Sequence, residues 1–291
     1  MDAMGRNEYL LTSLGYVYFQ YVNLGIYPDD KYLDISDELI NEALILNPEL
    51  SKAYFIKSMI HETRGELIDS FNAIKQALNY DPADSEALMM IAFLYALAGR
   101  PEEGRPYARR AIESDPLNPL VYAGEWWVNQ SAGKFDKLLE TCSKMYNLDK
   151  NNPLSVYAYA YAFAFNNNVK EATKLFDSLA ASHPDLPFSL VGKAMRHAIN
   201  NEKQEALKSI TEQVEKAAEM DHTFAWGLAG VYSLIGEKEK AIDYLERATR
   251  DIFIDYPFFA IHDPFLENIR KEERFKKLMK KVKHEWENFE V

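Results

Sequence analysis

Ala87-Leu88-Met89-Met90-Ile91-Ala92-Phe93-Leu94-Tyr95, followed by Gly99 and then by Asp115-Pro116, is one period of a pattern that runs through the chain. Its pair marks, Asn47-Pro48, Asp81-Pro82, Asp115-Pro116, Asp149-Lys150 and His183-Pro184, recur every 34 residues, with Lys150 replacing proline once. A turn former follows midway in each period: Gly65, Gly99, Gly133, Asn167 and Asn201. These residue types tolerate the left-handed backbone that ends a helix, so each period reads as two helices. Further on come mostly small residues, Ser70, Gly104, Ala172 and Ala206, with Leu138 the exception, where two helices approach closely.

A fixed period decides the fold before any local reading does. The residues resemble the tetratricopeptide repeat, whose pattern is W-x2-L-G-x2-Y, then A-x3-F, then P. Leu14-Gly15-Tyr16-Val17-Tyr18 carries the full L-G-x2-Y, while Tyr54, Leu88, Tyr122, Val156, Leu190 and Ala225 stand in the tryptophan slot. The resemblance implies an all-α, right-handed superhelical solenoid of about seven helix pairs plus a C-terminal capping helix. As one domain over 1–291, the repeats fall near 6–48, 51–82, 85–116, 119–150, 153–184, 187–221 and 222–253, with a capping segment at 254–291. The first repeat is stretched by an insertion around Asn23 to Lys31, where Pro28-Asp29-Asp30 marks a loop. The sixth has a longer second helix, and Tyr256 to Pro264 is a break before a final helix from about Phe265 to Phe289. The stretch Phe265-Leu266-Glu267-Asn268-Ile269-Arg270 with Arg274-Phe275 is similar to the tail that closes the repeat regions of bacterial signalling proteins.

The 291 residues carry 47% hydrophobic content and a net charge of −12, enough apolar matter for a large core and the wrong sign for phosphate binding. Nucleic acid is therefore not expected as a partner. The basic tail, with Arg274, Lys276, Lys277, Lys280, Lys281 and Lys283, reads as a solvated helix face balanced by nearby glutamates. One cysteine, Cys142, with no secretory leader and no membrane-spanning apolar run, points to the cytoplasm and against membrane insertion.

No enzyme signature is present. His61, His183, His197, His222, His262 and His284 show no metal-ligand spacing, and His61 and His197 occupy the repeat's tyrosine slot. Phosphate loops and nucleophile elbows are missing, and Glu102-Glu103 or Glu272-Glu273 would diverge around a helix. No cofactor and no metal are expected.

In proteins this chain resembles, the first helix of each repeat lines a concave groove. Residues between the pattern positions then give the candidate wall: Tyr16, Phe19, Phe55, Met59, Met89, Met90, Phe93, Trp127, Tyr157, Tyr161, Phe188, Met195 and Trp226. Gly124, Ala158, Gly192 and Gly227 recur among them and are expected to let a ligand near the backbone. Family members that grip a terminal carboxylate use Lys, Asn and Arg here, and only Lys52 and a few amides remain. The expected function is a protein-interaction scaffold or regulatory module that binds a peptide or amphipathic helix in an apolar, aromatic groove. The alternative is a sensor enclosing a small apolar ligand or lipid there. Two matters stay open: whether the chain fills its own groove, and whether it forms homo-oligomers.

Overall fold

The computed structural model describes residues 7–25, 27, 29–250 and 252–291. Arg6, at the expected start of the first repeat, and Pro28 of the insertion loop lie outside them. The helices pair in chain order: α1 (Glu8–Asn23) with α2 (Asp30–Leu46), α3 (Ser51–Thr63) with α4 (Leu67–Tyr80), and α5 (Ser85–Leu97) with α6 (Pro101–Ser114). Then come α7 (Tyr122–Ser131) with α8 (Phe135–Leu148), and α9 (Pro153–Phe165) with α10 (Val169–Ser182). α11 (Pro187–Ile199) is followed by α12 (Lys203–Ser209) and α13 (Glu212–Met220), and α14 (His222–Leu234) by α15 (Lys238–Ala248). α16 (Glu273–Glu287) closes the chain, no described residue is in a strand, and the pairs stack as a superhelical solenoid. Among the described residues no helix is long and apolar enough to cross a membrane.

Each inner helix stops for the same reason. Gly65, Gly99, Gly133 and Gly236 have φ between 64° and 80°, and Asn167 and Asn201 have φ of 55° and 61°. This left-handed residue turns the next N–H back onto the helix: Glu66 N donates to His61 O, Arg100 N to Tyr95 O and Lys134 N to Asn129 O, each at 2.8–2.9 Å. Such closure satisfies carbonyls that a helix end leaves unpaired. At the other end Asp84, Asn152 and Asp221 cap α5, α9 and α14 with side-chain oxygens.

Small residues let the two helices of a pair touch. A Cβ on Gly104 would lie 2.9 Å from Ala92 O, and in earlier repeats serine fills that place. Ser36 Oγ donates to Gly15 O at 2.8 Å, while Ser58 and Ser70 each donate to the other's carbonyl at 2.9 and 2.8 Å. The buried hydroxyls are thus satisfied instead of left to lower stability.

Two expectations need correction. The sixth repeat's second helix is broken at Ile210-Thr211 into α12 and α13, not merely lengthened. The final helix begins at Glu273; Pro264–Ile269 is a separate 3₁₀ segment, started by Asp263 accepting from Phe265 N at 2.9 Å.

The chain's ends do not stay apart. After α15 the segment from Ile252 enters the concave face, where Ile254 N donates to Leu97 O at 3.0 Å. α16 then reaches back to the second and third repeats. Trp286 Nε1 donates to Gly99 O (3.0 Å), Arg100 Nη2 donates to Trp286 O (2.7 Å), and the Phe289 ring lies 5.6 Å from that of Phe71. The first repeats also meet the sixth and seventh: a Cβ on Gly25 would lie 3.1 Å from Pro187 Cγ, and His222 Nε2 is 3.3 Å from Glu62 Oε1.

Candidate functional site: the concave face

Equal places in successive repeats are neighbours, as the ion pair between Lys52 and Glu86, 34 positions apart, illustrates. Each inner helix therefore contributes a ladder of residues to the concave face. One row runs Lys52, Glu86, Leu120, Leu154 and Phe188; a deeper one runs Met59, Phe93, Trp127, Tyr161 and Met195.

From Trp127 onward the deeper row is occupied by the chain itself. Trp127 lies 6.1 Å from Phe253 and 6.2 Å from Trp226, so side chains three repeats apart touch across the superhelix. Phe258 sits 5.7 Å from Trp226, and Phe265 sits 4.7 Å from Phe165 and 6.2 Å from Tyr161. Phe253, Phe258, Phe259, Leu266 and Ile269 are at most 1% exposed. Fully burying one such side chain contributes about 1.5–3 kcal/mol, so this segment is worth on the order of 10 kcal/mol. A whole domain has only about 5–15 kcal/mol of net stability. Even with the chain entropy regained on release set against it, lifting the segment out would be costly.

Of the thirteen wall residues, Phe19, Phe55, Met90, Trp127, Tyr157, Tyr161, Met195 and Trp226 are buried, and Tyr16, Met59, Met89, Phe93 and Phe188 are half-buried. The first group has little surface left for a partner. The glycines also serve another purpose than expected. A Cβ on Gly124 would meet Met89 O at 3.1 Å, one on Gly192 would meet Phe176 Cδ1 at 2.9 Å, and one on Gly227 would meet Val191 Cγ1 at 3.1 Å. They admit neighbouring elements of the stack, not a ligand.

Buried acids anchor the segment. Asp263 accepts from Trp226 Nε1 at 2.7 Å, yet burial outweighs that bond and raises its carboxyl to about 6. Asp255 accepts from Phe258 N at 3.0 Å, and burial raises it to about 7. At the seam between the first and last repeats, burial and then Asp221 push Glu62 to about 8, while burial lowers His222. Two cavities of about 50 and 180 Å³ flank this pair, the larger bordered by Arg64, Arg247 and Arg250.

The fold brings His61, Glu66 and Asp69 together, with ligand atoms within 4.8 Å of one another, a grouping that residue spacing did not indicate. His61 Nδ1 is bonded to Glu66 Oε2 at 2.5 Å, and His197 Nδ1 to Glu202 Oε2 at 2.6 Å. In both repeats the glutamate is also the residue whose N–H bonds the histidine's carbonyl. The arrangement is a helix-end device of the tyrosine slot, repeated where histidine replaces tyrosine. Cys142 is buried, which raises its thiol far from reactivity.

Half-buried or exposed apolar residues remain on the outer row. Leu120 is 38% exposed and Leu154 and Phe188 are half-buried, the Phe188 ring lying tilted 5.2 Å from Tyr157 and edge-on 5.3 Å from Phe224, and Met89 beside the row is half-buried too. Lys52 Nζ lies 4.3 Å from the Phe55 ring and 5.7 Å from that of Tyr16.

A family profile for the tetratricopeptide repeat matches residues 69–119. Among solved structures, the chain is similar to that of a human IFIT1 dimer with m7Gppp-AAAA: identity 12%, TM-score 0.63, covering 97% of this chain and 71% of that one. It is similar to PilW, a widely conserved type IV pilus biogenesis factor, at 14% identity and TM-score 0.55 over 71% of this chain and 97% of that one. A tetratricopeptide repeat protein from Parabacteroides merdae aligns at 15% identity and TM-score 0.52 over 94% and 98%. No curated protein matches the chain.

Proposed function

We propose, from the premise that this chain belongs to the tetratricopeptide-repeat family, that it is a non-catalytic protein-interaction scaffold offering a partner the outer half of its concave face. The partner is a peptide or amphipathic helix with apolar anchors. It lies along Met89, Leu120, Leu154 and Phe188, with Tyr16, Met59 and Phe93 at one side and Lys52 and Glu86 at the end of the row. The supporting observation is that these apolar side chains stay partly open on inner helices whose deeper residues are covered by Phe253, Phe258 and Phe265. Apolar side chains presented at fixed intervals on rigid helices suit a partner helix or an extended segment. The seam cavities are small and bordered by guanidinium and carboxyl groups, which speaks against the lipid-sensor alternative.

The test is selection of a random peptide library on the immobilised chain, with a Leu120→Glu/Leu154→Glu variant as the counter-target. The reading expects enriched peptides with two or more large apolar residues that lose binding to the variant at least roughly tenfold, the effect of about 1.4 kcal/mol. Peptides that bind both proteins equally would remove this row from consideration.

A further inference from the structure

Residues 270–284 hold eight lysines and arginines against two glutamates, in a chain whose net charge is −12. α16 sorts them by face. Phe275, Leu278, Met279 and Val282 are buried against the solenoid, and Lys276, Lys277, Lys280, Lys281, Lys283 and His284 are exposed on the opposite side. Three of the lysines pair with glutamates of their own helix, Lys276 with Glu273 at 2.5 Å, Lys281 with Glu285 and Lys283 with Glu287 at 3.5 Å, and Lys283 also lies 5.7 Å from the Tyr256 ring. Lys277 and Lys280, at the centre of the face, are exposed and make no side-chain hydrogen bond among the described residues, Lys280 acting only through its charge on Glu273.

A solenoid end needs a polar outer face, and a mixture of signs would serve. Between Glu273 and Glu285 this helix carries no acidic residue, and Lys276/Lys280 and Lys277/Lys281 are like-charge neighbours that weaken it. It is also held rigidly at both ends. Arg274 pairs with Glu239, Asp243 and Glu246 of α15 at 3.0, 2.6 and 2.7 Å, and Trp286 is hydrogen-bonded to Gly99. Because the helix is already fixed, binding spares the entropy of ordering the backbone that carries the lysines.

We infer that the outward face of α16 is a docking surface for a short acidic segment of a partner protein, whose carboxylates engage Lys276, Lys277, Lys280 and Lys281. The size of the patch selects this occupant. From Lys276 to Lys283 the helix rises only about 10 Å, and fixed charges are screened beyond about 8 Å at physiological salt. A long polyanion such as RNA would run on past the lysines over an acidic protein and be repelled, whereas a few carboxylates at helical spacing stay within the patch. The surface is separate from the apolar row of the concave face and does not depend on it.

The test uses the full chain and a fluorescein-labelled peptide of alternating Glu-Glu-Ala triplets, read by fluorescence anisotropy. A ten-nucleotide single-stranded RNA and phosphatidylserine vesicles are run in parallel. The expected result is peptide binding that weakens roughly tenfold or more between low and high salt and is abolished in Lys277→Glu/Lys280→Glu. Those two side chains are exposed and make no hydrogen bond among the described residues, so the variant's thermal melt should stay close to the parent's. The proposal is overturned if the peptide does not bind at low salt, if the variant binds it equally, or if the RNA or the vesicles bind at least as tightly as the peptide.

Discussion

Replacing Phe258 with alanine removes a side chain that is 0% exposed and packed between Trp226 at 5.7 Å, Phe259 at 5.7 Å and Phe165 at 6.2 Å. Truncating a buried phenylalanine loses its transfer free energy and leaves a cavity, together about 3–5 kcal/mol. The surroundings favour the upper part of that range, because the ring is enclosed by other buried aromatics that cannot collapse inward without leaving their own contacts. Ile261→Ala is the matched control: it lies three residues on in the same segment, is 62% exposed, and should change stability by less than about 0.5 kcal/mol. Urea unfolding followed both by circular dichroism and by tryptophan emission suits the question, since Trp127 and Trp226 sit directly against the segment. The two signals should move together and the Phe258→Ala midpoint should fall sharply. A loss below about 1 kcal/mol, with emission shifting to the red before helicity falls, would refute the reasoning: the segment would then be a loosely seated plug and the deep aromatic row a surface that a partner could reach.

Asp255 holds its proton in the folded chain up to about pH 7, well above its unfolded value of 3.8, so the folded state binds more protons between roughly pH 4 and 7 and stability falls as pH rises through that window. Asp255→Asn keeps the acceptor for Phe258 N and should flatten the fall, seen as urea midpoints that drop less between pH 4 and 7 than the parent's; parallel profiles would count against a buried neutral carboxyl. Gly133→Ala should destabilise more than Gly236→Ala in thermal melts, by more than about 1 kcal/mol: both glycines have positive φ, but a Cβ on Gly133 would lie 2.6 Å from His262 Nδ1 and one on Gly236 meets nothing within 4 Å. Equal losses would mean that the His262 contact adds nothing. Trp286→Phe removes the bond to Gly99 O and should cost about 1 kcal/mol, with faster amide exchange confined to α16 and its neighbours. Exchange spreading through the first repeat instead would show that α16 holds more of the molecule than its contacts indicate.

The period of 34 and its turn formers were legible because they express local chemistry. Gly65, Gly99, Gly133, Asn167 and Asn201 adopt the left-handed backbone for which their types are suited. The helix pairs follow from them. The candidate wall was legible as a set of inner-helix positions, yet exposure depends on what lies opposite, and periodicity carries no information about that. A signal was nevertheless present in Phe253-Ile254-Asp255-Tyr256-Pro257-Phe258-Phe259. A stretch so rich in aromatics is too apolar for a solvated break, and the concave face was the one large apolar surface without a cover. The glycines misled for a related reason: small residues permit close approach without saying what approaches. Glu62 and His222 were out of reach altogether, because their meeting depends on how many repeats complete a turn of the superhelix.

An open stack of repeats can unravel from either end, each unit held only by its neighbour, and so melts in stages. Contacts between Gly25 and Pro187, Glu62 and His222, and Gly99 and Trp286 remove that route, since the first units are fastened to the last. Freeing a terminal repeat then means breaking bonds to units far away in the chain as well as to the adjacent one. The same closures join residues more than 150 positions apart, and closing such loops is entropically unfavourable until the interior has formed. This chain should accordingly fold more slowly than a linear array of equal length, and once folded its first and last helix pairs should resist proteases as stubbornly as those in the middle.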